Sequence, residues 1–549
     1  MTKRLLGLLL LTLLVWNTGE ACTNFLVSKG ASVDGSTMIT YAADSHVLYG
    51  ELYRWPASDW AKGTMLDINE WDTGKYLGKI PQIGHTYSVV GNMNEHQLAI
   101  GETTYGGRSE LRNPSGIMDY GSLIYITLQR AKTAREAIKT VVELCNKYGY
   151  YSSGESFSIA DPNEVWIMEL IGKGPDQKGL LWVARRIPEG YISAHANQAR
   201  ITTFPQDDPE NCLFADDIVE FAREQGWYKG KDKDFSFRDT YAPLAFGGLR
   251  YCEARVWSFF NKVSPDMNAH LDYAMGIDAS NPMPLFIKPD HKLSAQELMA
   301  YMGDHYEGTP MDMTTDMGAG AFENPYRWRP LTWEADGAQY CNERAIATQQ
   351  TGFSFVSQSR SWLPNSIGGI LWFGLDDAAT TVYVPMYCGI TKAPHSFEEG
   401  NGDLLVYSDD AAFWAFNRVA NMCYLRYNYM VKDVKKLQEE LTENFATNTA
   451  AIDKAAQLIY ASSPEKARDF LTQYSCQQAD DVTQRWIGLS NFLLVKFIDG
   501  NIKKENNGIF IDNGTGVAVS PDQPGYSQAW KNAVAKDSGE KLKVVKTKK

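Results

Sequence analysis

The stretch "NTGEACTNFLVSKG" places a cysteine, Cys22, directly after a run of apolar and small residues. A cysteine in that position can be a lipid-attachment site, half of a disulfide, a small buried hydrophobe or a nucleophile. A thiol is a good nucleophile at neutral pH only with a base beside it. No local pattern marks a histidine partner for Cys22. If the chain is cut after Ala21, the cysteine's own α-amino group, with an unperturbed pKa near ~8, lies within reach of the sulfur and can take its proton. That chemistry also needs an acidic group to hold the amine and donors to stabilise an oxyanion.

The leader fits such a cut. Lys3 and Arg4 precede "LLGLLLLTLLV", an apolar core of signal-peptide length and too short to span a bilayer comfortably. Gly19 and Ala21 are the small residues a signal peptidase reads. Residues 1–21 are therefore expected to be a signal peptide, and the mature chain, 549 − 21 = 528 residues, to begin with Cys22 and to be exported, periplasmic or extracellular. A lipid-attachment site wants a branched apolar residue three places before the cysteine and a small one two places before; Gly19 and Glu20 stand there instead. Ordinary cleavage fits better than a lipid anchor.

A net charge of −13 and a pI near 5.2 argue against a nucleic-acid surface. No later stretch reaches transmembrane length. The hydrophobic fraction of 44% gives a chain of this length a large core. The eight cysteines form no CxxC pair, and HExxH, GxSxG, GxGxxG and P-loop patterns are missing, so neither metal nor cofactor is called for. His305 in "DHYEGT" stands near Asp304 and Glu307, a grouping that reads as a polar loop. The tail "KNAVAKDSGEKLKVVKTKK" carries seven lysines and reads as a solvated, flexible terminus over 521–549.

The elements that must position Cys22 come next. "CTNFLVS" and "STMITYAA" are β-rich runs joined through Asp34-Gly35, a turn signal, and "TYSVVGN" and "QLAIGETT" form a second pair. Residues 119–149 read as helix, with a new start at Thr133, a capping box to Glu136 and a stop at Gly149. Strands return at "SFSIAD", "EVWIMEL", "LLWVARRI" and "YISAHAN", and again at "GILWFGL" and "TTVYVPMY". Residues 431–520 are helix-rich. The order predicts an α+β fold, a sheet-on-sheet core with helices outside.

"CTNFLVSKGASVDGSTMITYAADS" resembles the start of the cysteine N-terminal-nucleophile dipeptidases of the dipeptidase A type, distant relatives of penicillin V acylase and bile salt hydrolase. "GNMNEHQLAIGETT", "WVARRIPEGYISAHANQARI", "YCEARVWSFFNKVSP" and "GGILWFGLDDAATTVYVPMY" extend the likeness over residues 22–430. The resemblance implies the αββα sandwich of N-terminal-nucleophile hydrolases, with dipeptides as substrates. It implies Cys22 as nucleophile and, through its amine, general base; Asp44 as holder of the α-ammonium or of a catalytic water; Asn197 as oxyanion donor; and Arg255 as a charge beside the nucleophile. A backbone N–H near Thr103 or Thr104 is the second oxyanion candidate, and Glu102 a partner for a substrate ammonium. Arg200 would buttress the Asn197 loop. One departure stands out. The family typically has Arg-Asn-Glu-Asp where this chain reads Tyr41-Ala42-Ala43-Asp44, so the thiolate lacks a usual cationic neighbour unless another arginine fills in. The alternatives are an N-acyl amide hydrolase using the same nucleophile and a non-catalytic lipoprotein binding module.

Overall fold

Two antiparallel sheets face each other in the computed structural model, which describes residues 22–547. The expected signal peptide lies outside the described residues.

One sheet has six strands, in the order Ile192–His195, Asn24–Val27, Thr37–Asp44, Thr351–Ser359, Gly369–Leu375 and Val384–Tyr387. The other has eight, running from Cys212–Phe214 through Leu181–Arg186, Val165–Ile171, Gly154–Ala160 and Ala99–Gly106 to the two-residue strands Met93–Asn94, Val89–Val90 and Arg54–Trp55. Strand side chains alternate between faces. On the eight-stranded sheet Ile100, Phe157, Ile159 and Met168 face outward, onto the helices Tyr120–Leu128 and Ala134–Tyr148. Ala99, Ala160, Ile167 and Val183 belong to the main core, shared with Leu26 and Phe355 of the six-stranded sheet. The far side of that sheet is covered by further helices. Ser475 of the helix Pro464–Phe497 donates to the Pro385 carbonyl at 2.8 Å, and Phe259 of the helix Ala254–Val263 stacks on Phe25 at 3.9 Å. The layers thus run helix, sheet, sheet, helix, the mixed α+β class expected from the sequence.

Local chemistry explains the element ends that set the site. The turn between Asn24–Val27 and Thr37–Asp44 is tied by Asp34, whose Oδ1 accepts from Ser32 Oγ, Ser36 N–H and Ser36 Oγ at 2.7, 3.0 and 2.6 Å. The Thr133 hydroxyl caps Glu136 N–H at 3.3 Å, while the Glu136 carboxylate reaches Lys132 N–H rather than Thr133, one residue short of the full capping box. The expected boundary at residue 430 falls inside the helix Tyr427–Tyr460. That helix turns back through Ser463, which caps Lys466 N–H ahead of Pro464. The basic tail contains the exposed helix Gln528–Ser538, capped by Ser527.

Candidate active site

Cys22 stands two residues before the strand Asn24–Val27, is 1% exposed, and lines a cavity of about 370 Å³. The facing sheet comes very close here. A Cβ on Gly101 would meet Asn24 Nδ2 at 2.8 Å and Tyr41 Cβ at 3.1 Å, so only glycine permits this approach. The approach carries the next residue, Glu102, to the thiol. Asn24 fixes it: with its amide turned to satisfy both neighbours, it accepts from Glu102 N–H at 3.1 Å and donates to Glu102 C=O at 3.0 Å.

The Cys22 thiol and the Tyr41 hydroxyl converge on one atom. Cys22 Sγ donates to Glu102 Oε1 at 3.5 Å, Tyr41 Oη donates to it at 2.5 Å, and the sulfur lies 4.0 Å from Tyr41 Oη. Burial pushes the Glu102 carboxyl up to about 7, with the Tyr41 hydrogen bond opposing it. Burial, together with Cys22 and Glu102, raises the Tyr41 phenol well above its ordinary range, so it stays a donor. Glu102 thus sits against the Cys22 thiol, where the sequence pointed to a partner for a substrate ammonium.

Arg255 is the second organising group. It lies at the start of the helix Ala254–Val263, following a π-helical turn over Gly248–Glu253, and is 1% exposed. Nη1 donates to the Cys22 carbonyl at 2.5 Å and to Thr23 Oγ1 at 2.8 Å. Nη2 donates to Asn197 Oδ1 at 2.9 Å and to the Ala196 carbonyl at 3.2 Å, and Nε to the Tyr251 carbonyl at 2.7 Å. Five acceptors meet the five N–H donors of a guanidinium, which is how a buried arginine avoids an uncompensated desolvation cost. This arginine supplies a cation at the Cys22 carbonyl.

Asn197 is linked to Cys22 through Arg255. Its φ of 60° is in the left-handed region, which asparagine tolerates better than most residues. Its Nδ2 donates to the Thr104 carbonyl at 2.8 Å. Asp44 lines the same cavity as Cys22, with Oδ2 on Arg344 Nη2 and Oδ1 on Thr351 Oγ1, each at 2.6 Å. Burial raises the Asp44 carboxyl, with Arg344 and Thr351 pulling it back. Arg329, held down to about 10 by burial and by Arg344 and Arg255, completes a group of three guanidiniums around Asp44.

The Thr103 and Thr104 hydroxyls are engaged by other partners. Thr103 is fully buried, with its hydroxyl 2.8 Å from His195 Nδ1. The Thr104 hydroxyl donates to Glu155 Oε1 at 2.8 Å. Arg200 is paired with Glu253 at 2.9 Å and donates to the Ala194 carbonyl at 3.0 Å, bracing the segment that leads to Asn197. His195 escaped the sequence reading because a histidine in "YISAHAN" carries no signal. It ties the sheets together, reaching Thr103 with Nδ1 and Ser158 Oγ with Nε2 at 2.7 Å, and burial lowers it to about 3, which keeps it neutral. Asn92, Glu51, Asp72 and Glu399, all cavity-lining, also went unread.

The arrangement offers a buried thiol on the wall of a cavity large enough for a small substrate, with the Glu102 carboxyl against its sulfur and Arg255 joining its carbonyl to the Asn197 amide. Among known proteins, a probable dipeptidase of Latilactobacillus sakei is 24% identical over 459 residues, covering 80% of this chain and 88% of the relative. A probable dipeptidase of Salmonella dublin is 25% identical over 406 residues, 69% of this chain and 83% of the relative. Dipeptidase A of Lactobacillus helveticus is 25% identical over 399 residues, 69% and 77%. The model of peptidase family C69 matches residues 21–54 and 50–440. With Cys22 at the start of that match and the two-sheet core inside it, the chain belongs to peptidase family C69.

Proposed function

We propose that the protein is an exported dipeptidase of the N-terminal-nucleophile type, in which removal of residues 1–21 makes Cys22 the first residue. The αββα sandwich implied by the resemblance agrees with the layer order, and the relatives' names supply the substrate class. The observation that carries the reading is the seat of Cys22: a thiol on the wall of a substrate-sized cavity, its carbonyl joined through one guanidinium to Asn197.

In this mechanism the α-amine takes the thiol proton and the thiolate attacks the peptide carbonyl carbon. The new C–S bond forms as the carbonyl electron pair moves onto oxygen, where the Asn197 amide and a neighbouring backbone N–H stabilise it. The C–N bond then breaks, the leaving amine takes the proton from the ammonium, and a thioester remains. Water, deprotonated by the same amine, cleaves the thioester and regenerates the thiol. Asp44, with Arg344 behind it, would orient the amine. The 3.5 Å contact from Cys22 Sγ to Glu102 favours a second proton acceptor, since a carboxyl near 7 can exchange a proton with the thiol at neutral pH.

The experiment uses protein whose mass verifies a Cys22 terminus. Free dipeptides should be hydrolysed, and N-acyl amides such as acylated amino acids should not. The reverse preference would replace the dipeptidase reading with that of an acylase.

A further inference from the structure

Among the described residues, the cavity at Cys22 has no basic residue in its wall. Asp44, Glu51, Asp72 and Glu399 line it, together with Tyr49, Tyr53, Trp71 and Tyr125, and no lysine, arginine or histidine does. Asp44 is already neutralised by Arg344. Among the described residues no ion pair engages the other three. Glu51 accepts only neutral donors, Tyr53 Oη at 3.1 Å and Gly400 N–H at 3.0 Å, and Asp72 accepts from Tyr120 Oη at 2.7 Å. Tyr53, Trp71 and Tyr125 form a continuous aromatic wall, with ring centres 5.0 and 4.7 Å apart in successive pairs.

A separate observation points the same way. Asn92 is 1% exposed and lines the cavity. Its Nδ2 donates to the Ile100 carbonyl at 2.9 Å, but its Oδ1 has no hydrogen-bond partner. A buried acceptor of this kind calls for a donor from whatever fills the space. The wall therefore presents carboxylates, an orphan carbonyl and π faces. The ligand that complements all three is a cation with several N–H donors.

The α-ammonium of a dipeptide supplies one positive charge, against three carboxylates that lack a counter-charge. A basic side chain on the same residue supplies a second. We infer that the site selects substrates whose residue on the N-terminal side of the scissile bond is lysine or arginine. The inference rests on the dipeptidase reading for the word substrate, but the cation site can be tested without turnover.

The binding arm uses Cys22→Ala protein and calorimetric titration with arginine amide and citrulline amide, which match in shape and differ in side-chain charge. Arginine amide should bind at least tenfold more tightly, the advantage should shrink with added salt, and Glu51→Gln combined with Glu399→Gln should reduce the ratio to near one. The same pair of amides, used as competitive inhibitors of the wild-type protein, guards against a folding defect in the variant. Equal affinities, no binding of either, or a ratio indifferent to both substitutions would overturn the inference. The turnover arm compares Arg-Ala with citrulline-Ala. If both are cleaved equally and the amides bind equally, the basic preference falls and the dipeptidase reading stands. If neither is cleaved while arginine amide still wins, the cation site stands and the dipeptidase reading falls.

Discussion

Tyr41 Oη lies 2.5 Å from Glu102 Oε1, the same oxygen that the Cys22 thiol approaches at 3.5 Å. A thiolate and a carboxylate at that separation repel, so ionisation of one disfavours ionisation of the other. Tyr41 favours the ionised carboxylate by donating to it. Removing the phenol in Tyr41→Phe should therefore move the limb of the kcat/KM profile near pH 7 upward, and Glu102→Gln should abolish that limb. An arginine in Tyr41→Arg would pair with Glu102 and pull the limb down. Profiles of all three variants that superimpose on the wild type would remove Glu102 from the proton chemistry.

The same carboxyl makes a stability prediction with a definite sign. Its folded pKa of about 7 lies above the unfolded carboxylate value, so the folded state binds the proton more tightly. The stability this contributes is fully present below the unfolded pKa near ~4.5, is lost progressively above it, and is gone once the pH has passed about 7. Relative to Glu102→Gln, the wild type should therefore lose on the order of 3 kcal/mol between pH 4 and pH 8. Urea midpoints for both proteins across that range measure it. A constant difference would mean that the carboxyl titrates normally in the fold.

How much of this could be read in advance depends on how local each signal is. The strands around Cys22 follow from β-rich runs separated by turn residues, and Thr133 and Gly149 end a helix by chemistry within a few residues. Cys22, Asp44, Asn197 and Arg255 stand in motifs of recognisable order. Tyr41 was legible only as a missing arginine, because its role depends on Glu102, 61 positions away and on the other sheet. Glu51, Asp72, Asn92 and Glu399 come from distant parts of the chain to line one cavity, and none carries a pattern of its own. Thr103 was named for its backbone N–H, and the contact of its hydroxyl with His195 on the other sheet carries no local signal.

His195 tests whether a histidine takes part in the reaction. Burial holds it neutral, at about 3, between two hydroxyls. His195→Ala should cost roughly 2–5 kcal/mol by orphaning Thr103 and Ser158 and opening a cavity between the sheets. Protein that remains folded should keep the pH profile of the wild type. Loss of a titrating limb would instead make His195 a proton carrier.

Arg255 should tolerate no conservative exchange. A lysine has three donors on a compact ammonium and cannot reach the Cys22 carbonyl, Asn197 and the Tyr251 carbonyl together. Arg255→Lys should lower kcat by about 10²-fold with KM changed far less, because Asn197 is needed most when charge develops on the carbonyl oxygen. Asn197→Ala should give a loss of similar size, roughly 10²–10³, and the double variant should be little worse than either single one. Fully additive losses would show that the two residues act independently.

The deciding question is whether Cys22 must be first in the chain. In the mechanism proposed, one cut creates both the nucleophile's freedom and its base. An uncut chain has an amide nitrogen there, and an amide cannot accept the thiol proton at neutral pH. Glu102 offers the alternative, because its contact with the thiol does not depend on the terminus. Four preparations separate the two: protein starting at Cys22, protein retaining verified extra residues before Cys22, Cys22→Ala, and Glu102→Gln with a Cys22 terminus. If the amine is the base, the first hydrolyses dipeptides, the second and third are folded and nearly inactive, and the fourth keeps a reduced rate without the limb near pH 7. Intact mass must be recorded before and after each assay, since an extended chain that trims itself would imitate activity. Full turnover by a chain proven to remain extended would transfer the base role to Glu102, and that chain should then lose its activity when Glu102→Gln is added.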